Sequence, residues 1–131
     1  MTDAFSFKML AALAGAGAGG TLLRFFCLQL SELLPKHSLP FGTLMINLSG
    51  AFLAGLLITL TRHKFPGWGP YLPVLLIGFF GAFTTFSSFA LETAGMLNDG
   101  HLLKATAYIA LQNLGGLAAI GAGSGFARIW N

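Results

Sequence analysis

Charged residues punctuate this chain at intervals, and the stretches between them are long enough to cross a bilayer. Pro40 to Thr61, Phe65 to Leu91 and Ala105 to Ala127 carry no charge, and Met9 to Ser31 is interrupted only by Arg24. A spanning helix needs roughly 20 predominantly apolar residues. The pattern therefore predicts four transmembrane helices, over about 5–30, 41–61, 70–97 and 102–129. Breakers fall between them: Pro35 and Pro40, then Pro66 and Gly67, then the turn Asn98-Asp99-Gly100. The four helices use nearly the whole of residues 1–131, so one all-α transmembrane domain is expected, with no room for a soluble catalytic unit.

The third stretch departs from the others. Gly78-Phe79-Phe80-Gly81-Ala82-Phe83-Thr84-Thr85-Phe86-Ser87-Ser88-Phe89 mixes glycines, hydroxyls and rings at membrane depth. Polar groups in hydrocarbon are costly and face a cavity or another helix, and broken backbone is tolerated only there. A helix broken near the bilayer midplane is predicted, working as part of a pore.

Composition agrees with the pattern. The chain is 55% hydrophobic and 8% charged, against about 25% charged in soluble domains. Lys8 before an apolar run and Ala-Gly-Ala-Gly resemble a signal peptide, but the apolar run continues through Leu28, so cleavage is not expected. Cys27 is the single cysteine, which excludes an internal disulfide. The net charge of +3 comes from bases at helix ends, where lipid headgroups meet them, and nucleic acid is not a partner. Four spans put Lys8, Arg62, Lys64 and Arg128 on one side, and Lys36, Lys104 and, if it snorkels, Arg24 on the other. So weak a positive-inside bias is compatible with a fixed topology or with insertion both ways and an antiparallel homodimer. Trp68, Tyr71 and Trp130 mark membrane–water interfaces. Gly15, Gly19 and Gly20, and Gly115, Gly116, Gly121, Gly123 and Gly125, are close-packing positions.

The embedded polar residues are the candidate chemistry. Arg24 is either a functional cation or a snorkelling one. Thr43 and Asn47 lie one helical turn apart, as do Tyr108 and Gln112, with Asn113 beside them. Asn47 either bonds a neighbouring helix or faces the pore. Phe86 and Phe89, three residues apart, project from similar faces, and their edges carry partial positive charge. Amide and hydroxyl donors with ring edges, and acids read as lying near helix ends, suit an anion path better than a cation path. His37, His63 and His101 have no partners at zinc-ligand spacing. No serine or cysteine has a histidine base placed for hydrolysis, and an enzyme is not expected.

Gly42-Thr43-Leu44-Met45-Ile46-Asn47 and Gly81-Ala82-Phe83-Thr84-Thr85-Phe86-Ser87-Ser88-Phe89 resemble the signatures of the Fluc (CrcB) family, small microbial fluoride channels. The resemblance covers all four spans. It implies an antiparallel, dual-topology homodimer in the cell (inner or plasma) membrane, with two fluoride pores. It implies a structural sodium ion at the dimer centre, held by the backbone carbonyls of Gly81 and Thr84. It assigns the pore to Asn47, Phe86, Phe89, Ser87 and Ser88, with Thr43 and Tyr108 alongside and Arg24 and Glu92 in vestibule or support roles. It also implies passive export of fluoride that enters as HF and ionises in a near-neutral cytoplasm. Gln112 and Gly116 stand where family members often carry small hydroxyl residues. Two other readings are a small multidrug-type exporter, which wants an embedded carboxylate, and a non-transporting assembly subunit.

Overall fold

Residues 6–34 and 39–129 are described by a computed structural model of the chain. Phe5, the turn from Pro35 through Lys36 and His37 to Ser38, and the Trp130 anchor lie outside the described residues. Helix α1 spans Phe7–Glu32, and Ser6 caps it by accepting the Met9 N–H at 3.2 Å. Helix α2 spans Phe41–His63 and begins immediately after Pro40, whose missing N–H costs nothing at a helix start. A 3₁₀ turn, Pro66–Tyr71, follows and leaves Trp68 and Tyr71 exposed, as expected of interfacial rings.

The third predicted helix is in two pieces. A π-helical segment, Val74–Phe80, runs into a single turn, Gly81–Phe83, and the chain then stretches out at Thr84 and Thr85. Helix α3, Phe86–Asn98, follows, Gly100 closes the next turn with φ 76°, and helix α4 covers Leu102–Ile129. Only glycine takes that φ without strain.

Among the described residues every regular element is helical, and three stretches are long and apolar enough to cross a membrane: Phe7–Glu32, Phe41–His63 and Val74–Asn98. The chain is a multi-pass membrane protein. Helix α4 has the length, at 28 residues, but carries Gln112 and Asn113 at its middle.

Helix α2 packs along α4, and α1 packs against the π-helical segment. Backbones meet where glycines allow it. A Cβ on Gly123 would run into the Phe52 carbonyl, one on Gly55 into that of Ile120, and one on Gly20 into that of Phe79. Gly115 sits under Leu48, whereas Gly15, Gly116, Gly121 and Gly125 have open space around them within the chain. The close-packing expectation thus holds for Gly20, Gly115 and Gly123, is met only by ordinary contact with the Phe79 ring at Gly19, and has no counterpart within the single chain at the other four. Burial is inverted relative to a soluble domain: Thr43 is 1% exposed while Leu103 is 84% exposed. Lipid or a second copy, not water, suits such a surface.

Candidate ion-conduction site

The break is written into its two threonines. Thr84 turns its hydroxyl back onto the Phe80 carbonyl at 2.8 Å, and Thr85 accepts the Ser88 N–H at 3.2 Å through Oγ1, capping α3. Both are local hydroxyl–backbone bonds of the kind that compete with helix continuation. The ordinary helical ladder is lost at this point. The Thr85 N–H, which helix geometry would assign to the Gly81 carbonyl, goes instead to Asn47 Oδ1 at 2.8 Å. The Ser88 N–H, the usual partner of the Thr84 carbonyl, goes to the Thr85 hydroxyl.

Asn47 supplies what the break lacks. Its Oδ1 takes the Thr85 N–H and its Nδ2 donates to the Thr85 carbonyl at 3.1 Å, so one side-chain amide pairs with one residue's backbone as a neighbouring strand would. The remaining amide proton goes to Gln112 Oε1 at 3.1 Å. Gln112 Nε2 donates to the Tyr108 oxygen at 3.0 Å, and Tyr108 donates to Glu92 Oε2 at 2.6 Å. Thr43 closes the series by donating to Glu92 Oε1 at 2.6 Å. A continuous line of hydrogen bonds therefore runs from the break through α2 and α4 to a carboxylate on α3. From the second Asn47 amide proton onward, each donor points towards Glu92. That fixes both amide orientations, because the Tyr108 proton is committed to Glu92 and its oxygen must be met by the Gln112 NH₂.

Arg24 does not snorkel away. It is half-buried, and its Nη1 donates to the Thr84 carbonyl at 3.4 Å, setting a cation at the break. Phe86 and Phe89 touch edge-on, with ring centres 5.5 Å apart and planes at 63°. They do not share an environment: Phe86 is 76% exposed, whereas Phe89 is 9% exposed and packs on Leu44 and Tyr108. The similar-face expectation holds, since both rings lie in the first turn of α3 and touch, but only the Phe89 ring is covered within the single chain. Ser87 is exposed, and Ser88 accepts the Thr85 hydroxyl at 2.9 Å, keeping its own proton to donate.

Two openings adjoin these residues. A groove of about 380 Å³ runs past Asn47, Gly50, Gly81, Thr84, Thr85 and Phe86. A second, of about 480 Å³, is lined by Thr43 and Glu92 and by Glu32 and Asp99. The placement of Glu92 corrects the reading that the acids lie near helix ends. It stands in the body of α3, clasped by two hydroxyls from other helices. Gln112 is the member of this hydrogen-bond line that the sequence reading undervalued. The signal was present in the twin spacing of Thr43 with Asn47 and of Tyr108 with Gln112, two one-turn polar pairs that proved to face each other. Asn113 turns back to its own helix, donating to the Ile109 carbonyl, and a Cβ on Gly116 would meet no other part of the chain within 4 Å.

A multi-pass helical membrane protein with one span broken around hydroxyl, amide and aromatic side chains is the class this geometry defines. The chain belongs to the CrcB family: the model described as "CrcB-like protein, Camphor Resistance (CrcB)" matches residues 10–124. It is similar to the "Fluoride-specific ion channel FluC" of Leptospira interrogans, 39% identical over 124 residues, 94% of this chain and 93% of that one. The protein of the same name from Desulforapulum autotrophicum is 38% identical over 117 residues, 89% of this chain and 94% of its own. That of Methylococcus capsulatus is 40% identical over 117 residues, 89% of this chain, and the match spans about half (51%) of its length.

Proposed function

We propose that this protein is a fluoride-selective passive ion channel that lets cytoplasmic fluoride leave down its electrochemical gradient. The observation that carries the reading is the break at Thr84 and Thr85, bound by Asn47 and followed by the edge-on Phe86–Phe89 pair, in a family whose relatives are named for fluoride. A small, strongly hydrated anion leaving water there would exchange its shell for the Asn47 amide, the Ser87 and Ser88 hydroxyls and the positive ring edges. The hydrocarbon of the rings keeps the site dry, which strengthens each of those contacts. Arg24 raises the local anion concentration near the break.

The functional unit in this reading is an antiparallel, dual-topology homodimer in the cell inner membrane, with α4 as the fourth span and two pores. Its support is the large apolar surface a single copy exposes and the open groove at the break. A structural sodium ion at the dimer centre fits the donors. Gly81 and Thr84 carry carbonyls whose helical donors, the Thr85 and Ser88 N–H groups, are diverted to side chains, and hard oxygen donors suit a small cation. The Arg24 bond to Thr84, at 3.4 Å, engages one of the two lone pairs of that oxygen. When bound, sodium would tie the breaks of two copies together.

One observation favours the exporter reading, the carboxylate of Glu92 within a spanning stretch. Liposomes loaded with fluoride and treated with a potassium ionophore separate the two. Rapid fluoride efflux, without chloride efflux, and its loss in Phe86→Ile and Phe89→Ile proteins that still assemble, are expected. A folded protein that passes no fluoride but protects cells from a quaternary ammonium compound would be an exporter.

A further inference from the structure

We propose that the side-chain oxygen of Gln112 is a built-in stand-in for the permeating anion and sets how tightly this channel holds fluoride. The proposal rests on the channel reading above. Asn47 has two amide protons and one oxygen. The oxygen and one proton are consumed by Thr85, at 2.8 and 3.1 Å, so the backbone break holds the amide in a fixed orientation. The other proton is the one donor Asn47 has left to offer, and Gln112 Oε1 occupies it at 3.1 Å. An anion that binds Asn47 must therefore displace a neutral acceptor already seated there.

Gln112 is itself held in that pose. Its Nε2 bonds the Tyr108 oxygen at 3.0 Å, and Tyr108 is fixed by Glu92. Because the Tyr108 proton is committed to the carboxylate, rotation of the Gln112 amide would bring its oxygen against the Tyr108 oxygen and its NH₂ against the Asn47 NH₂. The carboxylate thus keeps the Gln112 oxygen facing Asn47 from two residues away. A competitor anchored in this way lowers anion affinity without closing the path. Binding strong enough to admit an ion and weak enough to release it is what conduction needs.

The test is initial fluoride efflux from liposomes as a function of internal fluoride concentration, for wild type, Gln112→Met and Gln112→Ser. Methionine keeps the volume and removes the acceptor. Serine keeps a hydroxyl too short to reach Asn47. Both should lower the half-saturating fluoride concentration by roughly fivefold, the size of one interhelical hydrogen bond in a membrane. The maximal rate should fall or stay level as release slows. A Gln112 that merely braces the helices would not tighten fluoride when removed, so an unchanged or raised half-saturating concentration in both variants overturns the proposal. If one variant fails to fold, the other decides. No efflux from folded wild-type protein would instead sink the channel reading, and this inference with it.

Discussion

Asn47 does two jobs with one amide. It replaces the hydrogen bonds the broken backbone forgoes, and it aims a proton along α2 towards α4. Replacing it with alanine strands the Thr85 N–H and carbonyl, and an unsatisfied buried polar group costs about 1–3 kcal/mol. Asn47→Ala should lower fluoride efflux at least tenfold and lower the unfolding temperature as well. Asn47→Asp should be as damaging, since it keeps the bond to the Thr85 N–H but turns a second oxygen onto the Thr85 carbonyl and Gln112. Efflux and thermal melts on the purified variants check both; a wild-type rate in either would show that the amide is dispensable. Asn47, Phe86 and the threonines were legible in the sequence because polar residues in an uncharged run advertise themselves. Glu92 was not. Its neighbours in sequence suggest a helix end, while its partners, Thr43 and Tyr108, lie 49 and 16 residues away. Gln112 read as a departure from a family pattern, and its meaning emerged only from its contact with Asn47, 65 residues distant.

The helices are held by shape more than by periodicity. Helices α2 and α4 approach so closely at Gly55 and Gly123 that backbone faces backbone, and the Ser124 hydroxyl donates to the Gly55 carbonyl at 3.3 Å. Gly123→Ala should force the pair apart, at a cost of about 1–3 kcal/mol. Gly116→Ala, in open space, should be neutral or slightly stabilising in the single chain, since alanine is the better helix former by about 1 kcal/mol. Yield of detergent-stable protein compares the two, and equal behaviour would refute the packing assignment. The sequence marked the glycines as a group but could not sort them, because the choice depends on which face of each helix meets a neighbour. It did locate the break in the third span. The π-helical winding of Val74–Phe80 left no such trace.

At the level of the whole molecule, few apolar side chains are covered and many are not. Ile77, Leu91 and Leu117, at 70%, 73% and 69% exposed, must meet lipid or another copy. If the copies insert in opposite directions, a reporter fused to the C-terminus should be active on both sides of the membrane in comparable amounts. A strict one-sided signal would remove the antiparallel dimer from the proposal. Adding two lysines to the Asn98–Gly100 turn should then bias the population towards one orientation and reduce efflux, because lone orientations cannot pair.

The clasp on Thr85 also has a kinetic face. An interruption in a helix is ordinarily where deuterium enters first, since the freed amides open to solvent at little cost. Here the Thr85 amide hydrogen is locked into another helix's side chain at 2.8 Å. It should be among the slowest-exchanging amides of its span, slower than those in the preceding turn, and Asn47→Ala should accelerate it selectively. The weakest point of the helix would then be its most guarded, and isotope uptake at one residue would show whether the second and third spans move as a single body.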